Sequence, residues 1–308
     1  MTRHQYSPDN ILQSYDILIP DRQSQGEHGL WIVYIHGGYF RDPKVDSISI
    51  KPAIEYLETG RVTSDSTPSN SRANSRNNSR RPSASESDTA ATGSHARHKI
   101  KGYASINYRL SPHPAYPQDL LQTPPYTLNN AQYPDHLTDV LAALKHFQTH
   151  HQEVGTNYIL AGHSVGATLA LLALLKLQDK GLHCPKTVIG LSGIYDFEAI
   201  HRSNTDYRYI TGNAMATTQF GEASPAQKPL DKYQHEWKAP IKLFLITHSH
   251  DDGLVPWEQV ELVDQLFQPG QDINTKVLEL HGTHNDIWAK GEELARAIEK
   301  AVEMCTKL

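Results

Sequence analysis

Gly162-His163-Ser164-Val165-Gly166 follows an apolar run, Asn157-Tyr158-Ile159-Leu160-Ala161, and precedes a helix-forming stretch over residues 167–177. A strand that ends in G-x-S-x-G and turns straight into a helix places its serine on a sharp, strained bend, with small residues needed on either side to avoid clashes. Gly162, Gly166 and Ala167 meet that demand. The bend lifts the Ser164 hydroxyl above the end of the strand, and the helix beginning at Val165 offers its unbonded N–H groups and positive dipole end to a developing oxyanion. Ser164 therefore reads as a nucleophile.

The segments around this one alternate. Apolar, β-branched or aromatic runs at residues 14–20, 30–35, 101–109, 157–161, 187–191, 241–247 and 276–280 read as strands. Between them lie helical patterns at 47–58, 133–150, 257–267 and 292–307. In the second of these, Leu137, Val140, Leu141, Leu144 and Phe147 repeat with helical spacing. Alternation of this kind predicts an α/β fold with a mostly parallel, doubly wound sheet and helices on both faces. Ligands of such sheets bind at the carboxyl ends of the strands.

A serine hydroxyl needs a histidine to take its proton and a carboxylate to hold that histidine in the right tautomer. After the run 241–247 comes His248-Ser249-His250-Asp251-Asp252-Gly253-Leu254-Val255-Pro256, where two aspartates compete. Asp252 is preferred, because D-x-hydrophobic-hydrophobic-Pro leading into a helix is the usual setting of the acid; Asp251 then reads as a solvated or capping neighbour. After the last strand come His281-Gly282-Thr283-His284-Asn285-Asp286. His284, deeper in the loop before the last helix, is preferred as general base over His281. The run Trp31 to Ile35 ends in His36-Gly37-Gly38-Tyr39-Phe40. There the N–H groups of Gly38 and Tyr39, with Gly37 allowing the turn, join Val165 as candidates for an oxyanion hole. A rival set of metal ligands, His248, His250, Asp252, His281 and His284, lacks the i, i+4 helical spacing of hydrolytic zinc sites and leaves Ser164 unexplained.

Two segments break the rhythm. Residues 62–98 are dominated by Ser, Arg, Asn, Thr and Ala, with no aromatic residue, and read as a disordered insert leaving the amino edge of the sheet. Its Arg-x-x-Ser repeat, at Ser75, Ser79 and Ser83, suits a basophilic kinase, although drift in a solvated segment is the preferred reading. Residues 196–240 lie on the crevice side and read as a small cap.

The 308 residues fit one catalytic domain, residues 1–308. With 29 Lys and Arg against 34 Asp and Glu and no basic stripe outside the insert, neither nucleic acid nor an anionic membrane is an expected partner. The polar start, the lack of any apolar run of about eighteen residues and a complement of only Cys184 and Cys305 predict a soluble, cytoplasmic protein.

Taken together, His36-Gly37-Gly38, Asn107-Tyr108-Arg109-Leu110-Ser111-Pro112, Gly162-His163-Ser164-Val165-Gly166-Ala167-Thr168, Leu191-Ser192-Gly193-Ile194-Tyr195-Asp196 and Gly282-Thr283-His284-Asn285-Asp286 resemble the fungal kynurenine formamidase (arylformamidase) family of the α/β-hydrolases. The first two segments are shared with hormone-sensitive-lipase-like esterases; the third and last are narrower. The resemblance implies an α/β-hydrolase fold with a small cap insertion and a triad at Ser164, Asp252 and His284. It implies hydrolysis of N-formyl-L-kynurenine in tryptophan degradation, feeding NAD biosynthesis. The only partner it requires is a small-molecule substrate, with a homodimer left open, and no cofactor or metal enters. Phe40 stands where the family often has Trp, and the long insert is not a family feature. Phe40, Tyr195 and Trp288 are the aromatic residues proposed to contact substrate. A small-acyl carboxylesterase and a non-catalytic binding protein of the same fold are the alternatives.

Overall fold

The computed structural model describes residues 1–21, 29–60, 96–268 and 272–307. Eight strands form one sheet in the order β1-β2-β4-β3-β5-β6-β7-β8. They are β1 (Thr2–Gln5), β2 (Ser14–Leu18), β3 (Leu30–Ile35), β4 (Ile100–Ile106), β5 (Tyr158–His163), β6 (Thr187–Leu191), β7 (Leu243–Ser249) and β8 (Asn274–Leu280). β1 and β2 pair antiparallel to each other, as do β2 and β4; every other pairing is parallel.

β3, β5, β6 and β7 are buried at every position, which is why they read as continuous apolar runs rather than alternating ones. Alternation survives in where the side chains go. Trp31, Val33 and Ile35 enter the core of one face, whereas Leu30, Ile32 and Tyr34 enter that of the other. The first face is covered by α2 (Asp135–His150), α3 (Val165–Leu174) and α8 (Glu258–Leu266), and the second by α1 (Lys51–Thr59) and α9 (Glu292–Lys307).

Three expectations change in detail. β1 had no counterpart in the sequence reading, because its Thr-Arg-His-Gln is an edge strand exposed on both sides and carries no apolar signal. The helix expected over 47–58 divides into a 3₁₀ turn at Ser47–Ile50, capped by the Asp46 carboxylate on the Ile48 N–H at 2.9 Å, and α1, which starts again with Pro52 in its first turn. Part of the span expected to be disordered is described: Ala96 begins a short helical turn and, at 7% exposure, belongs to the same core as Leu57, Ile100 and Ala301. Residues 61–95, with Ser75, Ser79 and Ser83, lie outside the described residues. Gly60 and Ala96, which flank them, join α1 to the amino end of β4, away from Ser164.

Residues 196–240 form short helices, α4 (Phe197–Ser203), α5 (Asp206–Gly212), α6 (Phe220–Ala223) and α7 (Leu230–Glu236), between β6 and β7. Buried Phe197, Phe220, Tyr233 and Trp237 tie them into the main core, and the Trp237 indole donates to the Pro185 carbonyl at 2.6 Å. Among the described residues no helix is long and apolar enough to cross a membrane.

Candidate active site

Strand order places the site. From β3 the chain steps to β4 on one side and then back to β5 on the other, so a crevice opens between the carboxyl ends of β3 and β5. The two glycine-bearing turns leave from those ends. Ser164 sits between β5 and α3 at φ 56° and ψ −123°, the strained elbow expected of it. A Cβ at Gly162 would run into the Gly166 carbonyl, and one at Gly166 into the Ile35 carbonyl of β3. The small residues are thus required by close backbone approach as well as by the bend.

After β3, Gly38, Tyr39 and Phe40 all have positive φ, at 86°, 49° and 66°. Two non-glycine residues in this region store strain that must be held by the surroundings. The Y-R-L-S-P segment supplies the hold. Tyr108 stacks on His36 at 4.3 Å and donates its hydroxyl to the Gly37 carbonyl at 2.8 Å, while the Ser111 N–H donates to the Phe40 carbonyl at 2.9 Å. Arg109 in turn is pinned to buried Asp139 of α2 by two guanidinium bonds of 2.8 and 2.9 Å.

Asp252 and His284 lie on loops after β7 and β8, which are neighbours in the sheet. The His284 N–H donates to the Asp252 carbonyl at 2.8 Å, joining the two loops through the backbone. Its ring Nδ1–H donates to Asp252 Oδ2 at 2.8 Å and Oδ1 at 3.0 Å, which leaves Nε2 as the basic atom. Oδ1 also accepts the N–H groups of Leu254 at 3.0 Å and Val255 at 2.6 Å. Burial would raise the Asp252 carboxyl, but the hydrogen bond and charge of His284, the Val255 N–H and His248 outweigh it and hold the group down to about 2.

The competing residues lie elsewhere. Asp251 is exposed, and His281, with its side chain 75% exposed, faces Glu293 at 3.6 Å. The other histidines of the rival metal set have separate occupations: His248 donates from Nε2 to the Val255 carbonyl at 2.9 Å, and His250 stacks on Trp257 at 3.8 Å.

Ser164, His284, Gly38 and Tyr39 line one cavity of about 200 Å³. Val165 is the first residue of α3, where the backbone N–H has no partner within the helix. Of the three aromatic residues proposed to contact substrate, Trp288 lines the cavity. Two expected aromatic contacts do not. Tyr195 is fully buried, with its ring turned under the sheet into the space left by Gly190 and Gly193 and edge-on to Phe244. Phe40 is 1% exposed and packs between His136 and Phe197, because its positive φ swings the side chain into the core. In their place α5 contributes Tyr207 and Ile210, and the β3 loop contributes Arg41. Tyr207 stacks flat on Tyr39 at 5.5 Å, and Tyr39 shares a 3.0 Å hydrogen bond with Thr211 of the same helix. No periodicity in the sequence marked these residues, since loop and short helix meet only through the fold.

Residues 125–255 match an α/β-hydrolase-fold family. Over 290 residues the chain is 30% identical to the kynurenine formamidase avaC of Aspergillus versicolor, a match spanning 85% of this chain and 84% of that one. The chain belongs to the kynurenine formamidase family. A kynurenine formamidase-like hydrolase, fscH of Fusarium equiseti, is 27% identical over 94% of this chain and 89% of its own. Among solved structures, esterase B of Lactobacillus rhamnosis superposes with a TM-score of 0.62 at 12% identity, covering 100% of this chain and 87% of that one. The hyperthermophilic esterase of Pyrobaculum calidifontis does so at 0.59 and 14%, over 96% and 81%. These superpositions establish the α/β-hydrolase fold, and the fungal relatives establish a hydrolase of the formamidase family.

Proposed function

We propose that the protein hydrolyses N-formyl-L-kynurenine to L-kynurenine and formate through a triad of Ser164, His284 and Asp252. The observation that carries the reading is the buried His284–Asp252 pair opening into the same cavity as the Ser164 elbow, in a chain whose fungal relatives are named kynurenine formamidases. Ser164 Oγ attacks the formyl carbon as His284 Nε2 takes its proton, and Asp252 stabilises the resulting imidazolium. The N–H groups of Gly38, Tyr39 and Val165 hold the oxyanion, with Gly37 shaping their turn. His284 returns the proton to the aniline nitrogen as the C–N bond breaks. Water, deprotonated by the same histidine, then attacks the formyl ester and releases formate, so the cycle closes without a cofactor. Tyr39, braced against Tyr207, narrows the acyl side to favour the smallest acyl group, while Trp288 offers an aromatic surface to the leaving group.

Specificity constants test it. N-formylkynurenine should exceed p-nitrophenyl butyrate in kcat/KM, since added methylenes must clash beside Tyr39. Ser164→Ala should abolish both activities without unfolding the chain. A preference for the butyrate ester would instead make the protein a small-acyl carboxylesterase.

A further inference from the structure

Arg41 lies three residues past Gly38 on the loop that borders the cavity, and it lines the same space as Ser164 and His284. Its Nη1 is buried, and among the described residues nothing accepts its hydrogens. The residue as a whole is half-buried, but a donor shut off from water ordinarily finds an acceptor, because it has lost its hydration. The adjacent carboxylate does not supply one. Asp42 lines the same cavity, but its Oδ1 accepts the Lys44 N–H at 2.9 Å, and among the described residues no hydrogen bond or ion pair joins it to Arg41. Burial pulls the Arg41 pKa down, partly countered by Tyr209, Tyr39 and Asp42. The group still stays charged, since a guanidinium is the most basic of the side chains. A cation with an unused donor, lining a cavity together with Tyr39, Tyr207, Ile210 and Trp288 and with the polar groups of Asp42, His113 and Asn285, matches a ligand that is aromatic at one end and anionic at the other.

We propose that Arg41 binds the α-carboxylate of an aromatic amino-acid substrate, pairing with it through the guanidinium fork and orienting the acylated nitrogen toward Ser164. The proposal rests on the formamidase reading above and names the group that reads the amino-acid end of the substrate. A planar guanidinium satisfies a carboxylate by two parallel N–H bonds, which a neutral ester cannot match.

Calorimetric titration with L-kynurenine and with its methyl ester, on the wild type and on Arg41→Met, separates the possibilities without requiring turnover. Wild type should bind the acid about 10- to 100-fold more tightly than the ester, and Arg41→Met should lose that difference by weakening acid binding alone. Arg41→Lys keeps the charge but not the fork and should fall between, which serves if the Met variant melts at a lower Tm. Equal affinity for acid and ester in the wild type, no binding of the acid, or a preference that survives both substitutions would overturn the proposal. Turnover of N-formylkynurenine by the same wild-type protein reports on the formamidase reading separately: activity with no acid preference sinks Arg41 alone, whereas acid-selective binding without turnover sinks the reaction assignment alone.

Discussion

Replacing Asp252 by asparagine should silence the enzyme through a single proton. Asp252 Oδ1 accepts two backbone N–H groups, from Leu254 and Val255, and an amide NH2 placed there would face two donors. The asparagine carbonyl must therefore occupy the Oδ1 position, and its NH2 the Oδ2 position, 2.8 Å from His284 Nδ1. From there it donates to Nδ1, the ring proton moves to Nε2, and the histidine loses the lone pair that should accept the Ser164 proton. A wrong tautomer of this kind costs about 10⁴-fold in turnover in serine hydrolases. The stability cost is smaller. A carboxyl held at about 2 against an ordinary 3.8 reflects about 2 kcal/mol of preference for the charged form, which the variant gives up. Asp251→Asn, at an exposed position whose N–H to Ser249 Oγ is unchanged, should stay within about twofold of wild type. Initial rates on N-formylkynurenine, with urea unfolding in parallel, read both numbers. Retention of more than a tenth of wild-type turnover by Asp252→Asn, or a greater loss in Asp251→Asn, would refute the assignment of the acid and the tautomer argument together.

Gly166→Ala should lower stability by about 1–3 kcal/mol and cut activity, because the new methyl must push α3 away from the Ile35 carbonyl of β3 and tilt the elbow; an unchanged Tm with full activity would show that the backbone approach is looser than described. Acid should weaken the fold well before it protonates Asp252. Burial pushes His36 down to about 4, partly offset by the Gly37 carbonyl, and burial together with Arg109 pushes His136 down to about 3, so below 6.5 the unfolded chain binds protons that the folded one refuses. Stability then falls with pH by about 2 kcal/mol per histidine between pH 7 and 5, with buried His163 and His248 acting in the same direction, whereas the Asp252 contribution stays until pH falls from about 4 toward 2. A urea midpoint that does not move between pH 7 and 5 would contradict those environments.

The strands, the elbow and the loops that follow them were legible in the sequence because their causes are local. Four strands buried on both faces produce runs such as Leu-Trp-Ile-Val-Tyr-Ile, and a strand-to-helix bend this tight admits only small neighbours for Ser164. Choosing Asp252 over Asp251 and His284 over His281 also used local context, the position of each within its loop. What sequence could not decide depends on distance across the fold. β1 carries no apolar signal because an edge strand is held by its backbone ladder to β2 rather than by side-chain burial. Tyr195 and Phe40 looked like substrate contacts beside their motifs, yet the glycines at 190 and 193 and a left-handed backbone turn both rings into the core. Three residues of the cavity wall that sequence did not single out, Arg41 after β3 and Tyr207 and Ile210 on α5, are far apart in the chain and share no motif. Only the packing of α5 onto the β3 loop, through the stacked rings of Tyr39 and Tyr207, brings them to one wall, where Arg41 Nη1 has no acceptor among the described residues. Sequence thus determined the fold and singled out Ser164, Asp252 and His284, whose constraints act between neighbours, while tertiary structure decided the shape and charge of the cavity beside them.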